Sequence, residues 1–215
     1  MTGRDPAAGR SGTAEVTPLG ADDMDEVRDI IDMARQVGGY VPTSLRIMAR
    51  KPAVLRAFAG LRDAVMRAPG EVPLPLRWLA AHAVSTSAGC RYCQAHTAAN
   101  GAKAGLAPEK VEQLLRYETS SHLDPAERAI VAIGLAAGQT PNATDESHFA
   151  ALREHFSEEG IVEIVAVIAL FGWLNRWNDT FASDLEDAPR AFAEAHLAAR
   201  GWSVGKHGDK GRPPD

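Results

Sequence analysis

Apolar residues recur at helical spacing along most of the chain, and short polar, glycine or proline punctuation separates the runs. Met24, Val27, Ile30, Ile31 and Ala34 share one face, which predicts a first helix from Ala21 or Asp22 to Val37. Asp22, Asp23 and Asp25 suit the positive end of its dipole, and Gly38-Gly39 ends it. Pro42 opens a second helix carrying Leu45, Ile47, Met48 and Ala49, and Lys51-Pro52 breaks it. A third follows with Val54, Leu55, Phe58, Leu61, Val65 and Met66 expected on its buried side, closed by Ala68-Pro69-Gly70. The segment from Leu74 to Ser87 is apolar on most sides, as a fully buried helix is.

The next helix is expected to start at or near Cys90 and run to about Ala104, with a short one after Leu106-Ala107-Pro108. Asp124-Pro125-Ala126-Glu127 has the form of a capping box, and predicts a helix to about Ala137. Thr144-Asp145-Glu146 caps a helix through Phe156, and Ser157-Glu158-Glu159 caps a long apolar one to about Ala182. Asp187-Ala188-Pro189 starts a last helix, to about Arg200. No stretch alternates as a half-buried strand does. The reading is an all-α domain over residues 21–200, flanked by a disordered tail at 1–20 and a flexible one at 201–215.

Composition narrows this further. The chain has 215 residues, 45% of them hydrophobic and 6% aromatic, which suits one helical domain with a buried core. Its net charge of -5 and scattered basic residues argue against a nucleic-acid surface. The most apolar run, Ile161 to Leu174, is interrupted by Glu163 and is short for a membrane span, and no secretory signal opens the chain. A cytoplasmic protein without a membrane partner is the expectation. There, two cysteines belong to catalysis or metal binding rather than to a structural staple.

Both cysteines lie in Gly89-Cys90-Arg91-Tyr92-Cys93-Gln94-Ala95-His96-Thr97. At a helix N-terminus the free N–H groups lower a thiol pKa, and Cys90 is placed to use them. Cys93 lies one turn along and about 60° round the helix, so the sulfurs can meet. His96 is a neighbour of Cys93 rather than of Cys90, and suits proton transfer there. The competing readings are two inert thiols, or a zinc set of Cys90, Cys93 and His96 lacking a fourth ligand. His82 and Glu163 are candidate proton relays; Glu163 stands inside a nearly all-apolar helix, where a carboxylate is costly unless paired. Trp78, Tyr92, Asn175 and Asn178 are candidate pocket residues. An echo joins the halves: Glu163, Asn175 and Asn178 repeat the offsets of Trp78, Cys90 and Cys93, as an old duplication of helical hairpins would produce.

Gly89 to Thr97, after the apolar helix ending Ala83-Val84-Ser85, resembles the carboxymuconolactone decarboxylase superfamily in its alkyl hydroperoxidase D-like branch. Gly39-Tyr40-Val41-Pro42, Lys51-Pro52 and Asn175-Arg176-Trp177-Asn178-Asp179 are further marks, and the resemblance spans roughly residues 20–195. It implies an alkyl hydroperoxidase D-like helical bundle, a homo-oligomer (a trimer or a multiple), and no bound cofactor or metal. It implies a dithiol that reduces hydroperoxides or exchanges with a partner disulfide, recharged by a thiol reductant. A lactone decarboxylase and a non-catalytic redox-sensing oligomer are the alternatives. Two departures stand out. The branch carries a glutamate twelve residues before the first cysteine, where this chain has Trp78. Its histidine follows the second cysteine by four residues, and here the interval is three.

Overall fold

The computed structural model describes residues 12–208. Ten α-helices are joined by short links and 3₁₀ turns, with no strand among the described residues. They are α1 (Arg28–Gly38), α2 (Thr43–Met48), α3 (Pro52–Met66), α4 (Leu74–Ser87), α5 (Arg91–Lys103), α6 (Pro108–Glu112), α7 (Pro125–Ala137), α8 (Glu146–Arg153), α9 (Glu158–Phe181) and α10 (Asp187–His196). The chemistry of the ends matches the boundaries. Asp124 and Glu127 form the capping box of α7, Asp145 caps α8, and Ser157 caps α9.

The centre is α4, which packs against α5, α7 and α9. Ala80, Ala81 and Ala83 are fully buried, and these small side chains let neighbouring helices come close. At Gly134 of α7 an added Cβ would sit 2.7 Å from the Cβ of Ala83, so this crossing admits no side chain. α5 then lies between α4 and α10, with α9 along its side.

Several expectations are revised. Residues 21–27 form two 3₁₀ turns, so regular helix begins only at Arg28. On α3 the core face is Leu55, Phe58, Ala59 and Met66; Val54 and Leu61 face solvent. α9 runs for 24 residues, and by length and composition alone it could cross a membrane. It packs against α3, α4, α5, α7 and α8, with Ile164, Val167 and Leu170 in the core.

Part of each expected tail is packed. Thr13 and Ala14 are buried, the Glu15 amide donates to the Phe181 carbonyl, and the Leu19 amide donates to that of Arg46. At the other end Trp202 and His207 are buried. The remainder of those tails, 1–11 and 209–215, lies outside the described residues. The duplication has no counterpart at the positions that suggested it. Trp78 and Cys90 lie on either side of a turn at Gly89 (φ 74°), whereas Glu163, Asn175 and Asn178 share one continuous helix.

Glu163 is a clamp near the start of α9. It accepts from the amides of Glu71 (3.0 Å) and Val72 (2.9 Å) and from Arg77 Nη2 (3.1 Å). Arg77 is buried and also donates to the carbonyls of Val65, Ala68 and Val72. The pair thus fixes the α3–α4 link against α9. Arg77→Ala is expected to cost about 3–5 kcal/mol, since it strands carbonyls and a carboxylate. Glu163→Gln should cost less, about 1–3 kcal/mol. Urea unfolding midpoints measure both, and thiol titration of Glu163→Gln should match the parent protein.

Candidate active site

The turn at Gly89 delivers Cys90 to the N-cap of α5, where its sulfur accepts from the Cys93 amide at 3.4 Å. Both cysteines are buried and reduced. The Cys93 thiol also donates to Cys90, and this bond is the main reason the Cys90 thiol falls to about 6, against the upward push of burial; His207 lowers it further. Cys93 moves the other way, well above the ordinary thiol range, through burial and the adjoining Cys90 charge. The pair therefore holds one negative charge on two sulfurs, with the proton on Cys93.

Asn178 of α9 completes the cradle: its Nδ2 lies 3.5 Å from Cys93 Sγ and donates also to the Leu174 carbonyl. Its Oδ1 accepts from Ser183 Oγ at 3.0 Å, which fixes the amide's orientation. Cys93 then opens into a cavity of about 490 Å³. Tyr40, Phe58, Trp78, Tyr92, Phe171 and Leu174 supply aromatic and apolar walls, with His96 and Asn178 as polar points. Arg67 and Lys103 line its exposed side. Cys90 does not line it.

His96 reaches the cavity with both ring nitrogens engaged. Nε2 lies 2.7 Å from Glu186 Oε2, and Nδ1 lies 3.3 Å from the Tyr40 hydroxyl. Glu186, the N-cap of α10, also accepts from the Tyr92 hydroxyl at 3.2 Å and from the Thr43 amide. Burial pushes its carboxyl up, but the His96 charge and these hydrogen bonds outweigh that and hold it below its ordinary value. Burial raises the Tyr40 and Tyr92 phenols, so both stay neutral donors. Tyr40, His96 and Glu186 form a hydrogen-bonded chain on the cavity wall.

Of the residues singled out in the sequence, Cys93, His96, Trp78, Tyr92 and Asn178 meet at this cavity, with Cys90 behind. Asn175 does not. It is buried, its amide has no hydrogen-bond partner among the described residues, and it lines a separate cavity of about 500 Å³ beside α7. His82 serves packing: its Nδ1 lies 2.9 Å from Thr97 Oγ1, and burial holds the imidazole down to about 4, hence neutral. Glu163 is misplaced as a relay. It precedes Asn178 by fifteen residues on one helix, roughly 22 Å along the axis. The carboxylate that faces the histidine is Glu186, and the sequence signal was available: an acid at a helix N-cap position just before Asp187.

Neither ring nitrogen of His96 is free for a zinc set with the cysteines. A second cluster lies behind Cys90, whose sulfur lies within 4.8 Å of a carboxylate oxygen of Asp179 and of a ring nitrogen of His207. Asp179 already has a cation in Lys206, at 2.8 Å.

Residues 52–136 match the carboxymuconolactone decarboxylase family, and the chain belongs to that family. It is similar to the debrominase Bmp8 at 33% identity, over 82% of this chain and 95% of that one, with a TM-score of 0.76. A cysteine-to-alanine variant of Bmp8 in complex with 2,3,4-tribromopyrrole superposes with a TM-score of 0.78 at 31% identity, over 87% and 98% of the two chains. A peroxidase-related protein with an alkylhydroperoxidase AhpD core, from Ralstonia eutropha JMP134, is 26% identical over 86% and 97%, with a TM-score of 0.75. No curated protein matches the chain. The fold is that of the AhpD-like helical proteins.

Thiolate absorbance of the reduced protein should rise through one ionisation near pH 6, with the charge lost as pH falls below it. The second thiol should stay protonated beyond 9.0. Cys93→Ala removes the donor, and should raise the Cys90 midpoint by about one unit or more.

Proposed function

We propose that this protein is a thiol-dependent oxidoreductase that reduces a small, largely apolar hydroperoxide in the Cys93 cavity and oxidises its own dithiol. The observation that carries this is the division of labour at the cysteines: one sulfur opens into an aromatic cavity, and its partner, buried behind it, holds the charge.

The shared proton passes from Cys93 to Cys90, which leaves the thiolate on the sulfur that faces the substrate. Cys93 attacks the terminal peroxide oxygen. The O–O bond breaks, and the departing alkoxide takes a proton from the Tyr40–His96–Glu186 chain. Cys93 is left as a sulfenic acid. Cys90, once deprotonated, attacks that sulfur; the S–S bond forms, and hydroxide leaves as water. Two thiols and one hydroperoxide give one disulfide, one alcohol and one water. An external thiol then restores the dithiol.

A second reading has its own support. At 33% identity Bmp8 is a debrominase, and a Bmp8 variant has been seen with a tribromopyrrole. The aromatic walls around Cys93 would suit a flat halogenated ring, and the same two thiols would supply the electrons for replacing halide by hydrogen.

Mass spectrometry after one equivalent of hydroperoxide should show loss of two hydrogens and a Cys90–Cys93 disulfide. Cys90→Ser and Cys93→Ser should each abolish turnover, and full activity in either would end the dithiol reading. His96→Asn and Glu186→Gln should lower the rate about 10²-fold, the usual scale of a general acid. Bromide release from a bromopyrrole, with no peroxide consumed, would select the second reading.

A further inference from the structure

The resolving step requires Cys90 to lose the proton it received from Cys93, yet Cys90 is shut off from the cavity and from His96. The chain beyond α10 supplies what is missing. After a 3₁₀ turn at Ala198–Arg200 it folds back across α5, where Trp202 Nε1 donates to the Arg91 carbonyl at 3.2 Å. The Leu185 amide donates to the His207 carbonyl at 2.9 Å, and closes the strap.

These bonds leave His207 1% exposed. Its Nδ1 lies 2.9 Å from the Ser183 carbonyl, an acceptor only, so Nδ1 carries the proton and the lone pair is on Nε2. That Nε2 has no hydrogen-bond partner among the described residues. It lies 3.6 Å from Asp179 Oδ1 in the second cluster, where a ring nitrogen of His207 lies within 4.8 Å of Cys90 Sγ. A buried, unpartnered acceptor beside a thiol is costly unless it is used. The groups around it are Cys90 and Tyr92 of α5, Asp179 of α9, and Lys206 of the strap itself. Asp179 and Lys206 are half exposed, so the cluster runs from the sulfur to water.

We propose that His207 is the proton acceptor of Cys90, with Asp179 as the residue that stabilises the imidazolium and passes the proton to solvent. The Cys90 S–H bond breaks, the proton goes to Nε2, and no electrons change hands. The thiolate so formed attacks the Cys93 sulfenic acid. The dithiol then has two proton routes. Tyr40, His96 and Glu186 supply the proton to the leaving group on the cavity side, and His207 and Asp179 take the proton from Cys90 on the far side. His207 lowers the Cys90 thiol only as a cation, which is the state it reaches once Nε2 has taken that proton and faces the thiolate. This role rests on the dithiol cycle proposed above.

His207→Gln in the full chain tests it. The Cys90 thiolate midpoint, read by absorbance with no substrate present, should rise by about one unit or more. After one equivalent of hydroperoxide, dimedone should trap Cys93 sulfenic acid, and disulfide formation should slow about tenfold or more. Added imidazole should restore the rate in part, which a merely loosened strap would not permit. Asp179→Asn, at a half-exposed position, should shift the midpoint the same way by less, and covers the case in which His207→Gln does not fold. An unchanged midpoint with unchanged disulfide formation in both variants would overturn the proposal. Stoichiometric zinc held by the parent and lost in His207→Gln would overturn it too, by giving the cluster to a metal. If the midpoint shifts while the parent consumes no hydroperoxide, the substrate reading fails and the role of His207 stands.

Discussion

One negative charge held between two buried sulfurs is the constraint on which the site depends. A thiolate removed from water is costly unless protein dipoles replace the solvent. Here the replacements come from three directions. The Cys93 amide and thiol reach Cys90 from within α5, Asn178 reaches Cys93 from α9, and His207 approaches from the C-terminal strap. Each comes from a different element, so the thiol chemistry requires the whole packing around α4. The buried alanines of α4 (Ala80, Ala81 and Ala83) and the bare Gly134 crossing are what let α5 and α7 lie close enough.

The asymmetry of the pair follows from position on one helix turn. Cys90 takes the end of the helix, where N–H groups are unpaired, and Cys93 takes the face toward the cavity. Charge storage and access to the cavity are thereby separated by three residues. Passing one proton along their hydrogen bond exchanges the two roles without moving the backbone.

The helices were legible because their punctuation is chemical. Pro52, the Asp124–Glu127 box and Ser157 each mark a start that the structure keeps. The dithiol and its histidine were legible for the same local reason, since a Cys-x-x-Cys at a helix start states its own electrostatics. Glu186 was marked only by its place at a helix N-cap, and His207 was not marked at all. Both follow α9 in the chain, and the groups they face at the site, His96 for Glu186 and Cys90 for His207, lie ninety or more residues away in sequence, where periodicity carries no information. Glu163 misled because a carboxylate among apolar neighbours reads as buried and catalytic. Near the start of a helix, however, loop amides and an arginine satisfy it, and it becomes a structural tie.

Ala182 ends α9 in the left-handed conformation (φ 48°), and the chain reverses there. Asn178, which holds one sulfur, lies four residues before that reversal; Ser183, which orients both Asn178 and His207, lies one after it; Glu186, which holds His96, lies four after it. Nine consecutive positions thus set the register of both sides of the dithiol. Single substitutions in this stretch act on one contact at a time. A one-residue insertion or deletion would misalign all of them together, so this stretch should vary in composition among functional relatives but hold its length.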